Sequence, residues 1–422
     1  MSWEKVKLGD IADFSNGINF GKDAYGKGVK LIGVSNFSNR FSPDYESLDE
    51  VKEEVVRKND FLLSGDMVFV RSNGNKELVG RCMLIDCPVA PVTYSGFCIR
   101  ARLKDTTKHY PPFWTYHFKN DSFRRVMSGT AVGTNIQNLS QGRLSTYEAV
   151  VPDFPSQLRI ADILSAYDKL IENNQKQIKL LEEAAQRLYK EWFVDLHFPG
   201  YEDVKIVDGL PEGWKNVPLR NMISFDIGGG WGEENIKEKS EKPAYVIRGT
   251  DLYGITHGDM SSIPFRYHTE SNLSSRILQA GDIVFEVSGG SKTEGVARTL
   301  LIRNEMLESY GSPVICASFC KLVRVTERLY SQYVYDTFQF LRSSGKTTEF
   351  DKKSASSIVN YRWKDFLAQQ NILVPPHSIL DTYNCIAENL YHQIINHSKQ
   401  IERLKNARDR LLPKLMNGEI EV

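Results

Sequence analysis

Side chains able to bond the base edges or phosphates of a duplex recur at two places in this chain. Arg71-Ser72-Asn73-Gly74-Asn75-Lys76 follows the apolar run Asp66-Met67-Val68-Phe69-Val70, and Val287-Ser288-Gly289-Gly290-Ser291-Lys292 follows Asp282-Ile283-Val284-Phe285-Glu286. Arg, Lys and Asn carry the donors and acceptors that read major-groove edges or grip phosphates, and glycine lets backbone come close to the duplex. A second matched pair of segments is Ser128-Gly129-Thr130-Ala131-Val132-Gly133-Thr134-Asn135 and Lys352-Lys353-Ser354-Ala355-Ser356. Each segment alone has the composition of an ordinary turn. Their recurrence makes Arg71, Ser72, Asn73, Asn75, Lys76, Thr130, Thr134, Asn135, Ser288, Ser291, Lys292, Lys352, Lys353 and Ser354 the candidate DNA-contacting set.

Other chemistries find weaker support. Tyr110-Pro111-Pro112-Phe113 is similar to the loop with which amino-methyltransferases hold a flipped base, but a phenol cannot supply the paired acceptors for an exocyclic amine. Asp44, Glu50 and Lys52 have the residue types of a nuclease metal set, yet the two acids are close in sequence and the charged run Glu46 to Lys58 reads as a solvated helix. Gly228-Gly229-Gly230-Trp231-Gly232 lacks the Lys-Ser/Thr of a phosphate loop and reads as a flexible turn. The eight histidines form no catalytic or metal constellation, and Cys82, Cys87, Cys98, Cys316, Cys320 and Cys385 show no Cys-x-x-Cys pair, so reduced, mostly buried thiols are expected. No catalytic residue and no metal ligand is assigned.

The elements that must position the loops come from an internal repeat. Trp3-x-x-Val6-x-Leu8-x-x-Ile11-x-x-Phe14-x-x-Gly17 returns as Trp214-x-x-Val217-x-Leu219-x-x-Met222-x-x-Phe225-x-x-Gly228, a shift of 214 − 3 = 211. Gly65-Asp66 returns as Gly281-Asp282 at 281 − 65 = 216, and Val151-Pro152 as Val374-Pro375 at 375 − 152 = 223. The growing offset places small insertions in the second copy. Each copy opens with short apolar runs broken by Gly, Asn and Ser, which predicts strands over Lys30–Val34, Asp66–Val70 and Asp282–Glu286 and helices over Tyr110–Met127 and Ser331–Ser343.

Each copy then closes on a long helical pattern. Ile160, Leu164, Tyr167, Ile171, Ile178, Leu181, Ala185, Leu188 and Trp192 carry heptad spacing, matched by Tyr383, Ala387, Leu390, Ile394, Ile401, Leu404, Leu411 and Leu415, with Arg408 breaking the second seam. The expected architecture is α+β: two pseudo-symmetric recognition domains, 1–152 and 199–375, separated by an antiparallel pair of long helices, 153–198 and 376–422. Asn174 and His397 occupy equivalent seam positions. They read either as a face-to-face pair that fixes register or as two solvated polar residues. The first helix, Ser156 to about Leu196, would span roughly 60 Å at about 1.5 Å per residue.

Lys plus Arg and Asp plus Glu both number 53, so attraction to phosphate must come from local clustering of charge or from a partner. No apolar run is long enough for a bilayer, and Met1-Ser2-Trp3-Glu4-Lys5 lacks a secretory pattern, so a cytoplasmic protein without membrane association is expected.

Taken together, the chain resembles the specificity subunits of type I restriction-modification systems. The resemblance rests on the paired openings at Trp3 and Trp214, on Gly65-Asp66 with Gly281-Asp282, on Glu191-Trp192-Phe193-Val194-Asp195-x-x-Phe198-Pro199-Gly200-Tyr201-Glu202, and on the closing Leu411-Leu412-Pro413-Lys414-Leu415-Met416-Asn417-Gly418-Glu419-Ile420. It implies a non-catalytic subunit whose two recognition domains each read half of a bipartite double-stranded DNA site, with the helices setting the gap. It also implies two modification subunits docked on the helices and carrying S-adenosylmethionine, two restriction subunits using ATP and magnesium, and no cofactor on this chain. The alternatives are an enzyme with its own methyltransferase or nuclease activity and a coiled-coil scaffold that does not touch DNA.

Overall fold

The computed structural model describes residues 2–37, 40–75, 78–128, 137–259, 261–289, 295–353 and 358–422. Contacts divide the chain into two units, one of residues 1–172 with 402–422 and one of residues 173–401, the division falling within both long helices.

In the first unit four antiparallel strands lie in the order Ala12–Asn16, Cys98–Leu103, Met67–Val70 and Cys82–Leu84. In the second the order is Ile223–Gly228, Cys320–Val325, Ile283–Glu286 and Thr299–Leu301. Each unit adds a three-stranded sheet with one antiparallel and one parallel pairing, centred on Tyr25–Ile32 in one and Lys242–Ile247 in the other. Each is closed by a pair of distant strands, Trp3–Lys7 with Glu148–Pro152 and Lys215–Pro218 with Asn371–Val374. The expected α+β repeat is therefore present in these three sheets of each unit. Met67–Val70 is buried at every position, as a continuous apolar run in the middle of a covered sheet should be.

Register corrects the alignment read from sequence. Ala12 opposes Leu103 and Ile223 opposes Val325, which keeps the shift at 211, but a bulge between Ile223 and Phe225 adds one residue. Past it, Phe14 opposes Ala101 while Asp226 opposes Val323, so Asp226, not Phe225, is the structural equivalent of Phe14. Gly229 likewise replaces Gly228 as the partner of Gly17. A Cβ on Gly17 would meet the Tyr94 and Ser95 carbonyl oxygens at 2.2 and 2.4 Å, one on Gly229 the Cys316 and Ala317 oxygens at 2.2 Å, and one on Gly228 nothing within 4 Å. The glycine run is thus a close backbone crossing rather than a loose turn.

Two predicted helices change. Tyr110–Met127 forms Pro111–Lys119 and Asp121–Ser128, because Asn120 takes an extended conformation and its side chain accepts the Ser122 N–H at 3.3 Å, capping the second helix. Glu46–Lys58 is not one helix: between short 3-10 turns Asp49–Val51 is an edge strand on Tyr25–Ile32, with Val51 buried and Glu50 paired to Lys30 at 2.9 Å. The helix Ser331–Ser343 forms as expected.

The long helices are Phe154–Phe193 and His377–Met416, 40 residues each. Within the first unit, Ile160 and Leu164 are buried with Leu415 and Met416, Leu411 packs beside them, and Arg408 pairs with Asp168. Ile171 is buried and Leu404 half-buried. Within the second unit, Asn174 meets His397, Nδ1 to Oδ1 2.6 Å, and Trp192 meets Tyr383 at 5.8 Å between rings, so the helical segments run antiparallel there. Ile178, Ile394 and Ile401 are buried, and Leu181 and Leu188 half-buried.

Candidate nucleic-acid interface

Each unit leads its central strand into a short second strand that carries the candidate residues. In the first, Met67–Val70 continues through Arg71 into Ser72–Asn73, which pairs with Gln137–Asn138 in the register Asn73 to Gln137 and Ser72 to Asn138. In the second, Ile283–Glu286 continues through Val287 into Ser288–Gly289, which pairs with Val359–Tyr361, and that strand pairs in turn with Asp351–Lys353. In each unit the first candidate segment thus lies beside a strand that follows the second in sequence, with 66 residues between the paired positions in the first unit (138 − 72) and 72 in the second (360 − 288).

The candidate side chains meet different fates. Arg71 is half-buried, its Nη1 donating to the Gly96 carbonyl at 3.2 Å and its own carbonyl accepting the Leu139 N–H at 2.8 Å. Asn73 accepts the Asn75 N–H at 2.7 Å and so shapes the start of the loop. Ser72 is half-buried, and Asn75 and Lys352 are exposed. Ser288 is buried with its hydroxyl donating to Asn360 Oδ1 at 2.8 Å, so it supports the strand pair rather than facing solvent. Lys353 ends the strand Asp351–Lys353. Lys76, Thr130, Thr134, Asn135, Ser291, Lys292 and Ser354 lie outside the described residues.

Three matched features were not read from the sequence. Asn138 and Asn360, exposed and 222 positions apart, stand opposite Ser72 and Ser288 in the same register. A primary amide offers one donor and one acceptor in the geometry that pairs with adenine N7 and N6. Phe97 and Phe319, also 222 apart, sit on the opposite edge of the same short strands. The Phe97 carbonyl accepts from Arg71 N at 2.8 Å and Ser72 N at 3.4 Å, and the Phe319 carbonyl accepts from Val287 N at 2.9 Å and Ser288 N at 3.1 Å. The signal was present: Phe-Cys occurs at both places at an offset between 216 and 223.

The third feature gives the Gly-Asp signature a structural role. Buried Asp66 accepts two bonds from Arg102, both 2.6 Å, and buried Asp282 two from Arg324, both 2.7 Å. The same carboxylates accept Leu63 N and Gln279 N, each at 2.7 Å, across a turn in which Gly65 and Gly281 have φ of +91° and +95°. Each pair ties the central strand to its neighbour one strand away from the candidate loops, holding the platform without entering it.

The rejected motifs resolve as scaffold. Pro111 and Pro112 occupy the first turn of a helix, where a missing N–H costs nothing, and Tyr110 N donates to Gln157 Oε1 at 2.9 Å. Cys82, Cys98, Cys316 and Cys320 are buried, Cys87 and Cys385 exposed. Among the described residues no group of three or more His, Cys, Asp or Glu could hold a metal ion, and no helix is long and apolar enough to cross a membrane.

Comparison with known proteins finds similarity along most of the chain. The family described as type I restriction modification DNA specificity domain matches residues 1–183. The rest of the chain lies outside that match, but relatives similar to it over most of its length are type I specificity subunits. It is 28% identical over 316 residues to the type I restriction enzyme MjaIX specificity subunit of Methanocaldococcus jannaschii, covering 73% of this chain and 68% of that one. It is 23% identical over 418 residues to the EcoKI specificity subunit of Escherichia coli K12, covering 96% and 84%. The crystal structure of the type I restriction-modification system S subunit from M. genitalium shares the fold, with a TM-score of 0.59 at 15% identity over 98% of this chain and 96% of that one.

Proposed function

We propose that this chain reads DNA for a type I restriction-modification complex and performs no catalysis itself. Each recognition domain, 1–152 and 199–375, addresses one half of a bipartite duplex site. The long helices set the gap between the halves and dock two modification subunits, which bring S-adenosylmethionine. Two restriction subunits add the ATP- and magnesium-dependent steps.

The observation that carries this reading is the matched strand pair: an exposed Asn amide, Asn138 or Asn360, held opposite Ser72 or Ser288 at the end of a buried sheet. Two such platforms built alike but with different neighbouring side chains, Arg71 in one and Val287 in the other, suit two half-sites of unlike sequence. Neutral net charge accords with partners that supply much of the phosphate contact.

Mapping methylated adenines across a genome with and without this chain gives the site. Replacing residues 1–150 by another recognition domain should then change one half-site and leave the other. Asn138→Ala should relax one position in one half and Asn360→Ala one in the other, each by about 1–3 kcal/mol of discrimination. A methylated sequence unchanged by the domain exchange contradicts the reading.

A further inference from the structure

We propose that Phe97 and Phe319 are DNA-contacting residues, each laying its ring against the bases of one half-site. The inference rests on the recognition reading above and adds a contact made by shape and stacking rather than by base-edge hydrogen bonds.

Both rings face outward where a phenylalanine would ordinarily be buried, with exposures of 62% and 51%. Each occupies the third position of a tight turn, closed by Cys98 N to Ser95 O at 2.9 Å and by Cys320 N to Ala317 O at 2.8 Å. The following cysteine is fully buried in both units and starts a core strand, so the turn fixes which side chain goes in and which stays out. Leaving a phenylalanine in water forgoes the gain of burying its ring, and the same arrangement stands at equivalent positions of two copies that otherwise differ widely. A single exposed apolar residue needs no explanation, but a matched pair beside matched polar strands does.

The surroundings select the occupant. Through its carbonyl each phenylalanine is bonded to the short strand, and the other edge of that strand carries the exposed amide of Asn138 or Asn360. Phenylalanine and asparagine therefore flank the same short strand in each unit, one on either edge. A protein partner would favour a wider apolar patch, whereas a flat ring beside a bidentate amide matches a base, with a π-face for the ring and an edge for the amide. Apolar side chains placed this way act as wedges at a base step. Stacking accepts any base, so the rings contribute affinity and position while sequence is read beside them.

The test uses the full chain assembled with its modification subunits and a fluorescent duplex bearing the mapped site, against a scrambled duplex. Phe97→Ala and Phe319→Ala should each weaken binding to the mapped site at least about fivefold, the factor equivalent to ~1 kcal/mol at the low end of base–aromatic stacking. Phe→Trp at the same positions should restore it, Phe→Leu should restore it only in part, and the methylated sequence should stay the same. With 2-aminopurine placed at each position in turn, the wild-type fluorescence change should vanish from one half with Phe97→Ala and from the other with Phe319→Ala. Alanine variants that bind as tightly as wild type overturn the proposal and leave the recognition reading standing. So do variants that fail to assemble while the surviving complex keeps full DNA affinity, which would make the rings a protein contact. A wild-type complex that does not prefer the mapped duplex removes the recognition reading itself, and this inference with it.

Discussion

In the first unit the helix Pro111–Lys119 offers a phenol to an acid: Tyr116 donates to Asp168 of the long helix at 2.5 Å, and Arg408 pairs with the same carboxylate. In the second unit the roles are exchanged. Asp336, on the equivalent helix Ser331–Ser343, accepts from Tyr391 at 2.8 Å, Tyr383 at 2.7 Å and Gln332 at 2.8 Å. The long-helix positions correspond, since 391 − 168 = 223, the shift of the closing segment. What persists through divergence is a buried polar tie between short and long helix, not the residue that supplies the charge. Where the acid sits decides its chemistry: burial pushes the Asp336 carboxyl up to about 6, only partly opposed by its three hydrogen bonds and by Arg303. At the position next to Tyr116 the first unit buries His117, and burial pushes that imidazole down to about 4.

The shared features give the largest effects and should respond alike. Arg102→Met leaves Asp66 buried and unpaired, and Arg324→Met does the same to Asp282. Each should cost about 3 kcal/mol, the low end for a broken buried pair because both guanidinium groups are partly in solvent. Urea unfolding followed by hydrogen exchange in peptides of each unit measures both. A loss below about 1 kcal/mol in one unit alone would mean the two Gly-Asp turns are not equivalent.

The exchanged features should respond with opposite signs. The raised Asp336 carboxyl binds its proton more tightly folded than unfolded, so its stabilising contribution is full below about pH 4 and is lost as pH rises through about 6. The depressed His117 imidazole binds its proton less tightly when folded, so its contribution is full above about pH 6.5 and is lost as pH falls toward 4. Each shift corresponds to about 3 kcal/mol. Asp336→Asn should flatten the pH dependence of the second unit and His117→Gln that of the first, with unfolding measured from pH 4.5 to 7.5. Parallel slopes in both wild-type units would contradict the assignment.

The bulge at Ile223 and Phe225 separates two alignments that glycine substitutions can tell apart. Gly17→Ala and Gly229→Ala drive a methyl into carbonyl oxygens and should each cost about 2 kcal/mol, whereas Gly228→Ala should fall within about 0.5 kcal/mol of wild type. Melting temperatures suffice, and a costly Gly228→Ala would restore the shift read from sequence. The smallest expected effect lies at the seam: a double-mutant cycle of Asn174→Ala and His397→Ala should give a coupling of about 1 kcal/mol. Additive losses would make the pair incidental to register.

Much of the scaffold was legible because local periodicity encodes it. Heptad spacing marked both long helices to within a few residues, and a repeated pattern of residue types marked two copies of one α+β domain before any contact was known. Equivalent seam positions marked Asn174 and His397 as a candidate facing pair but left two solvated residues as open, and the structure decides for the pair. Contacts between segments about 70 residues apart were not legible. A bulge moves the register by one without altering the hydrophobic pattern, an Arg and an Asp in different strands declare no pairing, and turn composition cannot say whether a serine faces solvent, as Ser288 does not. Tertiary structure alone set Ser72 against Asn138 and Phe97, and Ser288 against Asn360 and Phe319, because strand order brings those segments together and sequence distance does not.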